Sequence, residues 1–191
     1  MADKYADRIA NELSIWLNKE KTITFKEFHY KGFRADVLEI NHNYEVVEYE
    51  IKTSVGDYNN DFLKKNKDGS LKHDLIFSGN YCNKFYFVMP PHLLREEDIS
   101  ENYGIIHYTG NGFEIIRGAE LLLPVEICED FQSAIYTQLL KDNKLDEIAM
   151  LYHRRSEYYY NLYQNTFERL SDELDKVRAI KEILKVNQDP F

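Results

Sequence analysis

The sequence predicts an α/β domain, a mixed β-sheet flanked by helices, with a long helix appended toward the C-terminal end. Three observations carry that reading. An amphipathic repeat opens the chain, short β-branched and aromatic runs bounded by turn residues follow, and from about Asp130 the composition turns to helix formers. The division expected is a domain over residues 1–125 and a helical extension over 126–191, with Pro124 near the boundary.

Each element has its own signal. Tyr5, Ile9, Leu13 and Trp16 recur at steps of three and four, which predicts a helix over residues 3–18 and puts Glu12 on the same face, toward the core or a cleft. A strand is expected near Ile23 to Tyr30, then a turn at Gly32 and a strand from about Phe33 to Ile40. The short NHNY connection into VVEYEIKT favours an antiparallel hairpin. Asp57 reads as the N-cap of a helix over roughly Tyr58 to Lys65, and Lys72 to Phe77 as a further helical turn. KFYFVMP is nearly continuous in apolar residues, as a strand covered on both faces requires, so a strand–helix–strand crossover should join Glu50 to Phe85. GIIHY and FEIIR, separated by TGNG, read as another hairpin. Phe167, Leu170, Leu174, Val177 and Leu184 then follow in steps of three and four, interrupted by Lys181, on one long helix. That stripe either packs on its own domain or meets a second subunit or partner.

Bulk properties narrow the class. A chain of 191 residues with 43% hydrophobic and 30% charged residues suits a globular domain with a real core. No apolar run approaches the roughly 20 residues of a membrane span, and the acidic, amphipathic N-terminus is unlike a signal peptide. Cys82 and Cys128 lack metal-ligand spacing and suit a reducing compartment, so a cytoplasmic location is expected, with no membrane partner. A net charge of −9 weighs against non-specific coating of nucleic acid, which draws its affinity from Lys and Arg. Positive charge is nonetheless concentrated in LKKNKDGSLKH, where Lys64, Lys65, Lys67 and Lys72 face the single acid Asp68.

The ionic strand VVEYEIKTS holds the most chemistry. Period-two alternation puts Val46, Glu48, Glu50 and Lys52 on one face and Val47, Tyr49, Ile51 and Thr53 on the other. Charges on a strand that otherwise reads as buried need partners or a metal. Asp36 comes from the preceding strand, with thirteen residues between it and Glu50.

Asp36 followed by Glu50-Ile51-Lys52, in the order helix, hairpin, crossover helix and apolar strand, resembles the PD-(D/E)XK, or restriction endonuclease-like, nuclease superfamily. RADVLEI, VVEYEIKTSVGDYNNDF, the Lys72-His73 pair and NKFYFVMP look like the MmcB-type DNA-repair proteins and related uncharacterised bacterial and phage proteins of that superfamily. The likeness covers roughly residues 5–110, and Ala35 stands where the family name has proline. It implies metal-dependent hydrolysis of DNA phosphodiesters, in repair or in a mobile-element or phage context. Mg²⁺ (or Mn²⁺) would be held by Asp36, Glu50 and the Ile51 carbonyl, since the ion wants hard oxygens and keeps several waters. Lys52 would orient the nucleophile and stabilise developing charge, and Glu12 would complete the metal shell or hold a water. Lys64, Lys65, Lys72 and His73 are candidate nucleic-acid contacts. Glu48, about 7 Å along the strand from Glu50, would bind a second ion or pair with Arg34. Ser54, Asp57 and Asp61 match polar positions of the related proteins. The competing reading is a nuclease-fold binding or adaptor module that recruits a partner through its C-terminal helix. Catalytic residues alone do not separate DNA from RNA as the substrate.

Overall fold

A computed structural model describes residues 4–18, 22–30, 32–78, 81–122, 129–142 and 144–186. Pro124 and Cys128 lie outside them. The chain divides into two compact units, Met1–Ile148 and Ala149–Phe191, so the boundary lies later than the expected residue 125.

The first unit is built on a six-stranded sheet whose spatial order is the chain order: β1 (Ile23–Tyr30), β2 (Phe33–Ile40), β3 (Val46–Ile51), β4 (Lys84–Met89), β5 (Gly104–Tyr108) and β6 (Phe113–Arg117). The sheet is mixed. β1, β2 and β3 run antiparallel in turn, β3 and β4 are parallel, β4 and β5 are parallel, and β5 and β6 close an antiparallel hairpin. Both hairpins and the parallel crossover agree with the sequence pattern. Asn41 sets the β2–β3 turn by accepting the backbone N–H groups of Asn43 and Glu45 at 2.9 and 3.0 Å, while Tyr44 takes a left-handed backbone with φ 63°.

Helix α1 (Lys4–Asn18) covers one face of the sheet. Ile9, Leu13 and Leu17 are buried against Val37, Val47, Tyr49, Ile51, Val88 and Ile106, a mainly aliphatic layer to which the period-two pattern of β3 contributes Val47, Tyr49 and Ile51. The buried stripe is rotated from the expected one: Leu17 is inside, Trp16 is half-buried against Phe113, and Tyr5 is 42% exposed.

The crossover between β3 and β4 contains α2 (Val55–Asp61) and α3 (Lys72–Phe77), and the face of β3 and β4 on their side differs in chemistry. There Tyr58, Phe62, Phe85, Phe87 and Tyr103 pack ring to ring around His73, which stacks on Phe62 at 4.2 Å. Helix α4 (Glu129–Lys141) also belongs to this unit, because Phe131 meets Tyr30 at 4.5 Å and Phe28 at 5.6 Å.

α5 (Leu145–Val186) is the long C-terminal helix that the composition predicts, 42 residues in one element. Over the second unit its apolar side chains, among them Tyr163, Phe167, Leu170, Leu174 and Val177, are exposed.

Candidate functional site

β3 presents Glu48, Glu50 and Lys52 to the crossover side, and all three are buried. Carboxylates and ammoniums this far from water survive only when paired and hydrogen-bonded. The crossover supplies the partners. Lys72, at the start of α3, places Nζ 2.7 Å from Glu48 Oε1 and 2.8 Å from Glu50 Oε2. Lys52 Nζ lies 3.1 Å from Glu50 Oε1 and 3.0 Å from Asp61 Oδ1. Lys64 reaches the same two carboxylates, at 2.8 Å from Glu50 Oε1 and 2.5 Å from Asp61 Oδ1.

Asp61, the last residue of α2, is the second hub of this cluster. Its Oδ2 lies 2.9 Å from His73 Nε2, and His73 Nδ1 lies 2.7 Å from the Tyr103 hydroxyl. A carboxylate can only accept, so Nε2 carries the proton of that bond. Burial alone would push the Asp61 pKa up; the His73 hydrogen bond and the charges of Lys72 and Lys52 outweigh it and hold the carboxyl well below its usual range. Glu48 goes the other way. Burial is the largest cause, Glu50 adds repulsion, and Lys72 only partly offsets them, so its pKa is pushed up to about 7. Its Oε2 meets no hydrogen-bond donor among the described residues. Lys72, also buried, is held well above the ordinary lysine value: desolvation opposes the charge, and Glu48, Glu50 and Asp61 outweigh it.

Asp36 joins from β2. The β1–β2 pairing passes over Glu27 and Asp36, and Glu27 takes a left-handed backbone with φ 51°. Alternation breaks there, since Phe25 and Phe28 are both buried with rings 5.4 Å apart. Asp36 Oδ2 accepts the Ile51 N–H at 2.9 Å, and Oδ1 lies 3.8 Å from Arg34 Nη2. Its pKa is pushed up to about 6, first by burial and then by the charge of Glu50.

Asp36, Glu50, Ile51 and Lys52 line one cleft of about 670 Å³. Its other walls are Ala6, Asp7 and Ala10 of α1, Glu27 and Arg34 of the first hairpin, and Thr53, Asp57 and Lys64 after β3. The donor set is chemically suited to Mg²⁺ or Mn²⁺: two carboxylates and a peptide carbonyl are hard oxygens, and Mg²⁺ commonly takes only one or two carboxylates. A larger set does not form, for among the described residues no group of three or more His, Cys, Asp or Glu is arranged to hold a metal.

Several expectations are corrected. Glu12 is not at this cleft: its carboxylate accepts from Arg8 at 2.8 Å and from the Tyr108 hydroxyl at 2.8 Å, because five residues, about 140° around α1, separate it from the Asp7 position that lines the wall. Lys72 and His73 are not surface contacts for nucleic acid. Both are buried, and their polar atoms are consumed by Glu48, Glu50, Asp61 and Tyr103. Glu48 pairs with Lys72, while Arg34 pairs with Glu27 at 3.1 Å. The cap of α2 is Ser54, whose hydroxyl accepts the Asp57 N–H at 3.1 Å, so the helix starts at Val55 and Asp57 sits in its first turn. Lys65 is exposed.

Asp7, Glu27 and Tyr103 were not singled out by the sequence. A small–acid–small pattern, Ala6, Asp7 and Ala10 on one helix, is the only local signal for the cleft wall, and helix phase is not legible from it. Nothing local marks Glu27, whose place depends on the skipped pairing, or Tyr103, which arrives from 30 residues beyond His73.

No family model matches the chain, and no curated protein matches it. Among solved structures it is similar to the SPO1766 protein of unknown function from Silicibacter pomeroyi, at 18% identity over 73% of this chain and 90% of that one, with a TM-score of 0.46. The functional reading therefore rests on the site's own chemistry.

Proposed function

We propose that the chain is a divalent-metal-dependent nuclease that hydrolyses DNA phosphodiesters, with a restriction endonuclease-like core. The observation that carries this reading is the meeting of Asp36, Glu50 and Lys52, from two neighbouring strands, at one cleft. The order α1, β1, β2, β3, crossover, β4 is the order that the nuclease resemblance implies.

Asp36, Glu50 and the Ile51 carbonyl would hold Mg²⁺ or Mn²⁺. When bound, such an ion polarises a phosphoryl oxygen and lowers the pKa of a coordinated water. Lys52 carries its ammonium beside Glu50 Oε1, where it would stabilise negative charge on the phosphate. Asp61, fixed by His73, holds that ammonium from the far side at 3.0 Å, so Lys52 is positioned before substrate arrives. Lys64 and Arg34 are exposed cations that line the cleft, and they would meet the phosphate chain, with Lys65 beside them in sequence. The test is incubation of purified protein with single-stranded, duplex, flapped and branched DNA and with RNA, in Mg²⁺ or Mn²⁺. Cleavage that EDTA abolishes and that Lys52→Met reduces at least about 100-fold is expected. Cleavage indifferent to Lys52→Met removes the mechanism.

A free, buried Cys82 accords with a reducing, cytoplasmic setting. No described helix is long and apolar enough to cross a membrane.

One observation favours a second role beside the first. The exposed residues Tyr160, Tyr163, Phe167, Leu170, Leu174 and Val177 of α5 alternate steps of three and four, the a/d spacing of a coiled-coil seam. In a parallel pair of such helices Glu173 would face Arg178 of the other copy across the flanking g and e positions. A homodimer through α5 is the reading this pattern supports.

A further inference from the structure

The Glu50 carboxylate is already engaged by three cations. Oε1 is shared by Lys52 at 3.1 Å and Lys64 at 2.8 Å, and Oε2 is taken by Lys72 at 2.8 Å. A metal ion that uses Glu50 meets the repulsion of all three ammoniums and binds best where one of them gives way. The three are unequal: the Lys52 and Lys72 side chains are 1% and 0% exposed, whereas Lys64 is 41% exposed and lines the cleft. Lys64 also sits in the turn after α2, on a four-carbon stem that can turn outward without disturbing the packed face.

Charge balance singles out the same residue. Counted as ionised, Glu48, Glu50 and Asp61 are neutralised by Lys52, Lys64 and Lys72. Take the Lys64 ammonium away and the cluster is left with one negative charge in excess, beside Asp36, whose nearest cation is Arg34 at 3.8 Å. A cation at Glu50 and Asp36 makes up that loss.

We infer that Lys64 is a placeholder cation: its ammonium bridges Glu50 and Asp61 when no metal is bound, and exchanges with a divalent ion by swinging to the cleft mouth, where it meets substrate phosphate. The inference rests on the metal reading of Asp36 and Glu50 and adds a competition to it. One side chain thereby couples metal loading to nucleic-acid capture, because an anion at the mouth draws Lys64 off Glu50, the one carboxylate that it shares with the metal.

Calorimetric titration of the full chain with Mn²⁺ alone, without nucleic acid, tests this. Lys64→Met keeps the stem and removes the charge, and should tighten Mn²⁺ binding about tenfold; Lys64→Arg, which keeps the charge, should stay near the wild type. Lys64→Gln is the second neutral variant, and thermal melting checks that each is folded. Neutral variants that bind Mn²⁺ no more tightly than the wild type overturn the exchange while leaving the metal site standing. If no protein binds Mn²⁺, and Glu50→Gln is indistinguishable from the rest, the metal reading itself fails and takes the exchange with it.

Discussion

Asp36 illustrates how a single buried side chain can support stability at one pH and oppose it at another. Its pKa is 3.8 in an ordinary setting and about 6 here, so the folded protein holds this proton more tightly than the unfolded chain does. The stabilising contribution is thus fully present below 3.8 and is lost as pH rises through about 6. At pH 8 the buried charge is a cost. Asp36→Asn keeps an acceptor for the Ile51 N–H and removes that cost, so it should raise stability at pH 8 by roughly 1–3 kcal/mol while abolishing metal binding. Melting curves of the two proteins from pH 4 to 8 check the sign: the gap between them should open as pH rises. By the same proton competition, wild-type Mn²⁺ affinity should fall below pH 6.

Lys72 gives the opposite case at the same scale. Its ammonium is enclosed by Glu48 and Glu50, and removing it leaves Glu48 without its cation and Glu50 Oε2 unpaired, both out of water. Lys72→Met should cost about 3–5 kcal/mol in denaturant titration. A surface phosphate contact would instead leave stability nearly unchanged and flatten the salt dependence of DNA binding.

At the scale of elements, β3 was the most legible part of the chain, because alternating charge on a strand has few physical solutions. Its polarity, its antiparallel partner β2 and its parallel partner β4 all follow from the NHNY turn and the apolar KFYFVMP run. The site was less legible wherever it depends on a register that alternation does not encode. Glu12 was placed by helix phase alone, and the phase in the structure favours Leu17 over Tyr5 as core, which sends Glu12 to Tyr108 and Asp7 to the cleft. Lys72 and His73 lie in a basic-looking segment, yet sequence charge does not reveal that three acids wait beneath α3. For α5, the exposed seam leads to a direct expectation. Leu170→Asp with Leu174→Asp should convert a dimer to a monomer in light scattering and leave DNA cleavage per chain unaltered. A wild type that is monomeric at micromolar concentration removes the dimer reading.

Across the whole molecule, the sheet divides labour between its faces. The layer under α1 is held mainly by apolar burial, whereas the crossover side mixes an aromatic cluster with fixed charges. Gly104 shows how closely the two strand pairs around β4 are fitted: a Cβ there would stand 2.2 Å from the Tyr86 ring, which stacks on Tyr49 at 5.3 Å. The overall charge of −9 is thus no guide to the cleft, where cations and anions are arranged one against another.

The ionic cluster also has a kinetic meaning. Its three carboxylates and three ammoniums all fall between Glu48 and Lys72, so the loop to be closed is short and its entropy cost small. Such a segment can neutralise itself before the sheet shuts over it, whereas Tyr103 and Asp36 must be recruited from outside. Charges that met only after burial would form a barrier; charges that meet first form a nucleus. Lys72→Met should accordingly slow refolding more than it speeds unfolding in stopped-flow measurements, and a purely accelerated unfolding limb would assign the nucleus elsewhere.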